Sequence, residues 1–121
     1  MIINYIPEIC QKEGAPVTGS LKLRMMSFPE RQRMRKDIGI FSTKHQAKEG
    51  EELSTVQRLE NLEAVAMVAE KIYPLISEVD LKIDNEVEIK NADELYSHPA
   101  CEPIVTELIE KYLFGFASKN S

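Results

Sequence analysis

The run TVQRLENLEAVAMVAEKIYP places Val56, Leu59, Leu62, Val65/Ala66, Val68/Ala69 and Ile72 three or four residues apart, and Pro74 ends it. That spacing gathers apolar side chains on one face of a helix of about five turns, with Ser54 and Gln57 as a capping box at its start. The period then changes at once. In VDLKI and VEI apolar and polar residues alternate, as in half-buried strands, and Asp84-Asn85-Glu86 between them are residue types that favour a tight turn. A long helix feeding a β-hairpin predicts an α+β domain.

The flanking segments fit that class. Ile2 to Ile9 is apolar but holds Pro7, which suits an edge strand or an N-terminal arm over residues 1–18. QKEGAPVTGS reads as a loop, and SLKLRM alternates Leu21, Leu23 and Met25 with Lys22, Arg24 and Met26. Ser27 and Glu30 form a second capping box, with Pro29 tolerated in the first turn. The helix it opens is expected to carry Phe28, Met34 and Ile38 on a narrow inner stripe and to stop at Gly39. Residues Phe41 to Glu52 lack apolar spacing and read as a loop. Near the other end, Asn91 with Glu94 caps a short helix broken by Pro99. A last helix begins near Pro103, turns Ile104, Val105, Leu108, Ile109, Tyr112 and Leu113 inward, and closes at Gly115, leaving 116–121 as a tail. With 121 residues this is a single helix-dominated α+β domain with a small antiparallel β-hairpin or sheet.

The positive charge is concentrated. Lys22, Arg24, Arg31, Arg33, Arg35 and Lys36 all fall between Leu21 and Gly39. The first 48 residues hold nine basic and four acidic side chains and the remaining 73 hold six and sixteen, so the two parts carry about +5 and −10. Such polarity points to a partner, a neighbouring subunit or internal pairing with the acidic terminal helix (Glu102, Glu107, Glu110). The overall charge of −5 and pI of about 5.1 disfavour nucleic acid as that partner. Arg and Met together are residue types of adaptable interfaces, which makes Met25, Met26, Phe28, Arg31, Met34 and Arg35 the candidate partner-binding set.

Signals for chemistry are sparse. His45 sits in a polar loop, and His98 precedes Pro99 with Cys101 three residues on, a pattern better suited to capping or packing than to zinc. Gly14 and Gly19 lack the following GK[ST] of a phosphate loop. Glu86 with Glu88, and Asp80 with Lys82 and Asp84, share faces of the hairpin strands and read as its solvated side. No catalytic residue, metal site or cofactor is expected, and the chain is read as a non-enzyme. Cys10 and Cys101 are both expected as buried small apolar residues. With no C-x-x-C, no secretory leader and no run of about 18 apolar residues, a cytoplasmic, membrane-free protein is the expectation.

Three stretches together resemble the tail assembly chaperones of long-tailed bacteriophages: GSLKLRMMSFPERQRMRKDIGI, VDLKIDNEVEIKNADELYSHPAC and the ending IEKYLFGFASKN. The resemblance implies a non-enzymatic assembly factor of the host cytoplasm that binds the long helical tape measure protein and keeps it soluble while the tail assembles. It implies no cofactor and leaves a homo-oligomer open. It also implies a longer form made by a frameshift, for which Lys119-Asn120 could mark the slippery run. The alternative is a small nucleic-acid-associated regulator that uses the basic helix 28–38.

Overall fold

A computed structural model describes residues 1–44 and 55–116, with the side chains of 38–44 and 55–62 outside the description. Strand β1 is Ile2–Tyr5 and β2 is Val17–Arg24; helices α1 (Phe28–Lys44) and α2 (Thr55–Ile72) follow. Strands β3 (Ile76–Ile83) and β4 (Val87–Ile89) make the hairpin, and α3 (Ala92–Ser97) and α4 (Glu102–Phe114) complete the chain. The sheet is antiparallel throughout, in the order β1-β2-β3-β4. The fold is α+β, with four helices and a four-stranded sheet among the described residues.

Alternation along the strands decides which face is covered. Val17, Leu21 and Leu23 on β2 and Val79, Leu81 and Ile83 on β3 are buried, whereas Thr18, Lys22, Arg24, Glu78, Asp80 and Lys82 are exposed. The helices close the inner face with Met34, Val68, Ile72, Leu95, Ile104 and Leu108, each at most 2% exposed. The outer face carries paired charges: Lys22 meets its register partner Glu78 at 3.5 Å, and Lys90, just past β4, meets Asp80 at 2.8 Å. These exposed pairs set register more than stability. The hydrogen bond and charge of Lys90 hold Asp80 below the usual carboxylate range, and Asp80 in turn raises Lys90. The Asp80 contribution is present above its unfolded pKa of about 3.9 and lost as pH falls through the lower folded value. That of Lys90 is present below about 10.4 and lost as pH rises through the higher folded one.

The hairpin turn and the caps form as their residues suggest. Asp84 and Asn85 hold positive φ, 51° and 60°, as a primed turn requires, and Glu86 N–H donates to the Ile83 carbonyl at 3.0 Å. Asn91 Oδ1 accepts from Glu94 N–H at 2.8 Å, while the Glu94 carboxylate accepts from Lys90 N–H rather than from Asn91. His98 Nδ1 accepts from Ala100 N–H at 3.1 Å, a capping role. Gly115, at φ 110°, ends α4.

Several expectations are corrected. Of the two readings of the N-terminus the edge strand holds and the arm does not, because Ile2–Tyr5 pairs with β2 from Ile2↔Arg24 to Tyr5↔Leu21 at the edge of the sheet. Nor is GAPVTGS all loop: β2 starts at Val17, which pairs with Ile83, so the long partner β3 overrides the turn-like composition. The strand ends at Arg24, before the methionines. Helix α1 passes through Gly39 to Lys44, since one glycine costs only about 1 kcal/mol in a helix interior and no proline follows it to stop the run. Phe28 does not face inward; it is 69% exposed in the first turn. Phe116 is no free tail, because its ring packs edge-on against Tyr112 and Tyr5. Cys101 is buried as expected, but Cys10 is only half-buried. The readings placed on Ile38, His45, Ser54 and Lys119-Asn120 fall outside the described residues or side chains.

Candidate functional site at the β2–α1 junction

The junction is built by a reciprocal cap. Ser27 Oγ accepts from Glu30 N–H and the Glu30 carboxylate accepts from Ser27 N–H, both at 3.3 Å. Hydrogen bonding to the carboxylate from Ser27, its backbone N–H first and then its side chain, holds the Glu30 carboxyl below its usual range. Its contribution is therefore present above about pH 4.3 and lost as pH falls through the lower folded pKa. Ser27→Ala is expected to cost about 1 kcal/mol, read as a shift in urea midpoint, and an unchanged midpoint would show that the cap is dispensable.

Between strand and helix, Met25 and Met26 are half-buried, and Met25 N–H donates to the Met1 carbonyl at 2.9 Å. They open onto two neighbouring hollows. The first, of about 190 Å³, is lined by Met25, Met26, Arg31, Lys111, Tyr112, Gly115 and Phe116. The second, of about 420 Å³, is lined by Met26, Glu30, Arg33, Met34, Asp37 and Lys71. Met26 belongs to both.

Of the six candidate residues, Met25, Met26, Arg31 and Met34 are thus brought to these hollows, and Phe28 and Arg35 line neither. Arg35 serves the fold instead, since its guanidinium donates to the Leu113 carbonyl at the C-terminal end of α4, with Nε at 2.9 Å. A cation at that end also meets the negative pole of the helix. Among the described side chains, the basic helix meets no carboxylate of α4. Glu107 instead accepts from the Tyr5 hydroxyl and from Glu8 N–H at 3.0 Å, fastening the end of β1 to α4. Between α1 and α2 the ion pair runs the other way, Asp37 to Lys71 at 3.3 Å.

Sequence reasoning missed Lys111 and Phe116 as lining residues. Phe116 follows Tyr112 by four, so the apolar stripe of α4 continues one step beyond its glycine cap. Tyr112 adds a fixed wall, its hydroxyl donating to the Arg24 carbonyl at 2.8 Å. Burial pushes that phenol up to about 12 against the lowering pull of Arg24. It stays a neutral donor throughout the physiological range.

The other titratable groups are placed for structure. Burial first, then the hydrogen bond to Glu107, raises the Tyr5 phenol well above its ordinary value. Cys10 is pushed up to about 11, first by burial and then by Glu107 and Cys101. Native Cys10 is therefore expected to react with iodoacetamide at pH 8 about a hundredfold more slowly than in the unfolded chain; equal rates would exclude this environment. Among the described residues no group of three or more His, Cys, Asp or Glu side chains could hold a metal ion, and no helix is long and apolar enough to cross a membrane.

No family model, no curated protein and no solved structure matches the chain.

Proposed function

We propose that the chain is a tail assembly chaperone of a long-tailed bacteriophage, binding the tape measure protein or a similarly long helical client and keeping it soluble. The observation that supports this reading best is the pair of hollows joined at Met26, where flexible thioethers lie beside cationic side chains on a rigid strand–helix junction. A chaperone for a long amphipathic helix needs an apolar groove that tolerates several registers, and methionine adapts to varied shapes better than branched residues do. The resemblance of the three stretches named above supplies the identity of the client.

The test is co-expression with the large product encoded just downstream, read by client solubility and co-purification. Soluble client only in the presence of this chain is the expected result; a client that stays insoluble and uncaptured would refute the reading and turn attention to nucleic acid at several salt concentrations. The charge-reversed pair Arg31→Glu/Arg33→Glu is expected to lower capture about tenfold, a change of about 1.4 kcal/mol, with an unaltered thermal melt. Arg35 is kept in that variant because its reversal would unseat the end of α4.

A further inference from the structure

The two hollows differ in charge, and the difference gives the groove a direction. Into the first project Arg31 and Lys111 and no carboxylate. Lys111 has Glu8 at 3.8 Å to offset it, whereas Arg31 has no ion-pair partner among the described residues. Among the described contacts Arg31 donates to no carbonyl of α4 either; Leu113 O accepts from Arg35 and Lys111 O from Gly115 N–H. In the second hollow Arg33 and Lys71 stand with Glu30 and Asp37, and Lys71 is paired with Asp37. One end of the groove is cationic and the other balanced.

The shapes suit side chains more than a free ligand. At about 190 Å³ the first hollow falls below the roughly 300–1,000 Å³ of small-molecule sites, and the second lies open to solvent. The first recess, walled by Met25, Met26, Tyr112 and Phe116, fits one apolar knob on a helix face, and the second, lined mainly by charged side chains, fits a polar position further along that face, the helix-in-groove mode. An uncompensated guanidinium beside the first recess selects a carboxylate next to that knob.

We infer that the hollows on either side of Met26 form one polarised groove for an acidic amphipathic helix, an apolar knob and a neighbouring carboxylate of which seat at the Arg31 end. This deepens the chaperone reading and rests on it for the helical nature of the client. Arg31 sets the orientation of the client, and the second hollow, where Glu30 and Asp37 balance Arg33 and Lys71, accepts a polar side chain of either sign.

The experiment uses the full chain with ¹³C-labelled methionine methyl groups and two synthetic helical peptides. The peptides share the same leucine knobs and differ only in carrying Glu or Lys beside the first. Met67 lies outside both hollows and serves as the internal reference. The Glu peptide is expected to move the Met25 and Met26 methyl signals and to bind about tenfold more tightly than the Lys peptide, and Arg31→Gln to abolish that preference. Equal affinities, a preference that survives Arg31→Gln, or shifts confined to Met67 would overturn the inference. The two readings fail separately. A long client that is solubilised without moving Met25 and Met26 removes the groove and spares the chaperone. Glu-peptide binding at the groove without capture of the long client spares the groove and removes the tape measure identity.

Discussion

Gly19→Ala is expected to destabilise the fold by roughly 3–5 kcal/mol, a large part of the 5–15 kcal/mol typical of a domain. Gly19 lies in β2 at φ 122°, a backbone conformation that side chains with a Cβ rarely adopt. The space is also closed: a Cβ built there would lie 2.0 Å from the Asp80 carbonyl oxygen and 2.9 Å from the Leu81 Cα. Both contacts are backbone of β3, so no side chain can swing aside. The two strands would have to part, and they are the central pair of the sheet. Gly14 is the control. It too has positive φ, 72°, but nothing lies within 4 Å of its Cβ position, so Gly14→Ala is expected to cost only about 1–2 kcal/mol of local backbone strain. Urea unfolding of the two variants separates crowding from conformation. Equal midpoints would mean that strand separation near Gly19 costs nothing.

The contrast between those glycines explains what the sequence let through. GAPVTGS looks like turn chemistry because Gly and Pro punctuate it, and the property that keeps Val17 to Ser20 in a strand belongs to β3, some sixty residues away. Local composition cannot report a distant partner. Where the deciding interaction is local, the reading succeeds. The Ser27/Glu30 and Asn91/Glu94 caps, the turn at Asp84-Asn85 and the closing Gly115 are each set by residues within four positions of one another. Gly39 fails for a related reason: a glycine marks a helix end only when the chain beyond it has somewhere else to go.

The junction was legible in its residue types and not in its partners. Met25, Met26, Met34 and Arg31 could be chosen because Met and Arg cluster where a strand turns into a capped helix. Nothing in that cluster distinguishes Arg31, which opens onto a hollow, from Arg35, which holds the Leu113 carbonyl. That division depends on α4 docking beside α1, a contact separated by 78 positions. Charge counting was similarly half informative. It located the basic segment and the acidic remainder, but the described contacts pair Arg35 with a helix end and Glu107 with a tyrosine and a backbone amide.

Leu108→Ala follows from that docking, with an expected loss of roughly 3–4 kcal/mol. Leu108 is fully buried on the face of α4 that also carries Ile104 and Tyr112, and α4 packs against α1, α2 and α3. Truncation removes buried methyl groups and leaves a cavity in a helix packed against three others, so little collapse is available. The groove lies at the C-terminal end of the same helix, through Lys111, Tyr112 and Phe116. Tyr112 is tied to the Arg24 carbonyl and Phe116 to the rings of Tyr5 and Tyr112, contacts that do not pass through Leu108. Well below its melting temperature the variant is therefore expected to bind the Glu-flanked peptide within about twofold of the unaltered chain, while urea midpoints record the full loss of stability. A parallel loss of both would mean that the end of α4 is held by its interior rather than by the tyrosine and aromatic contacts at the junction.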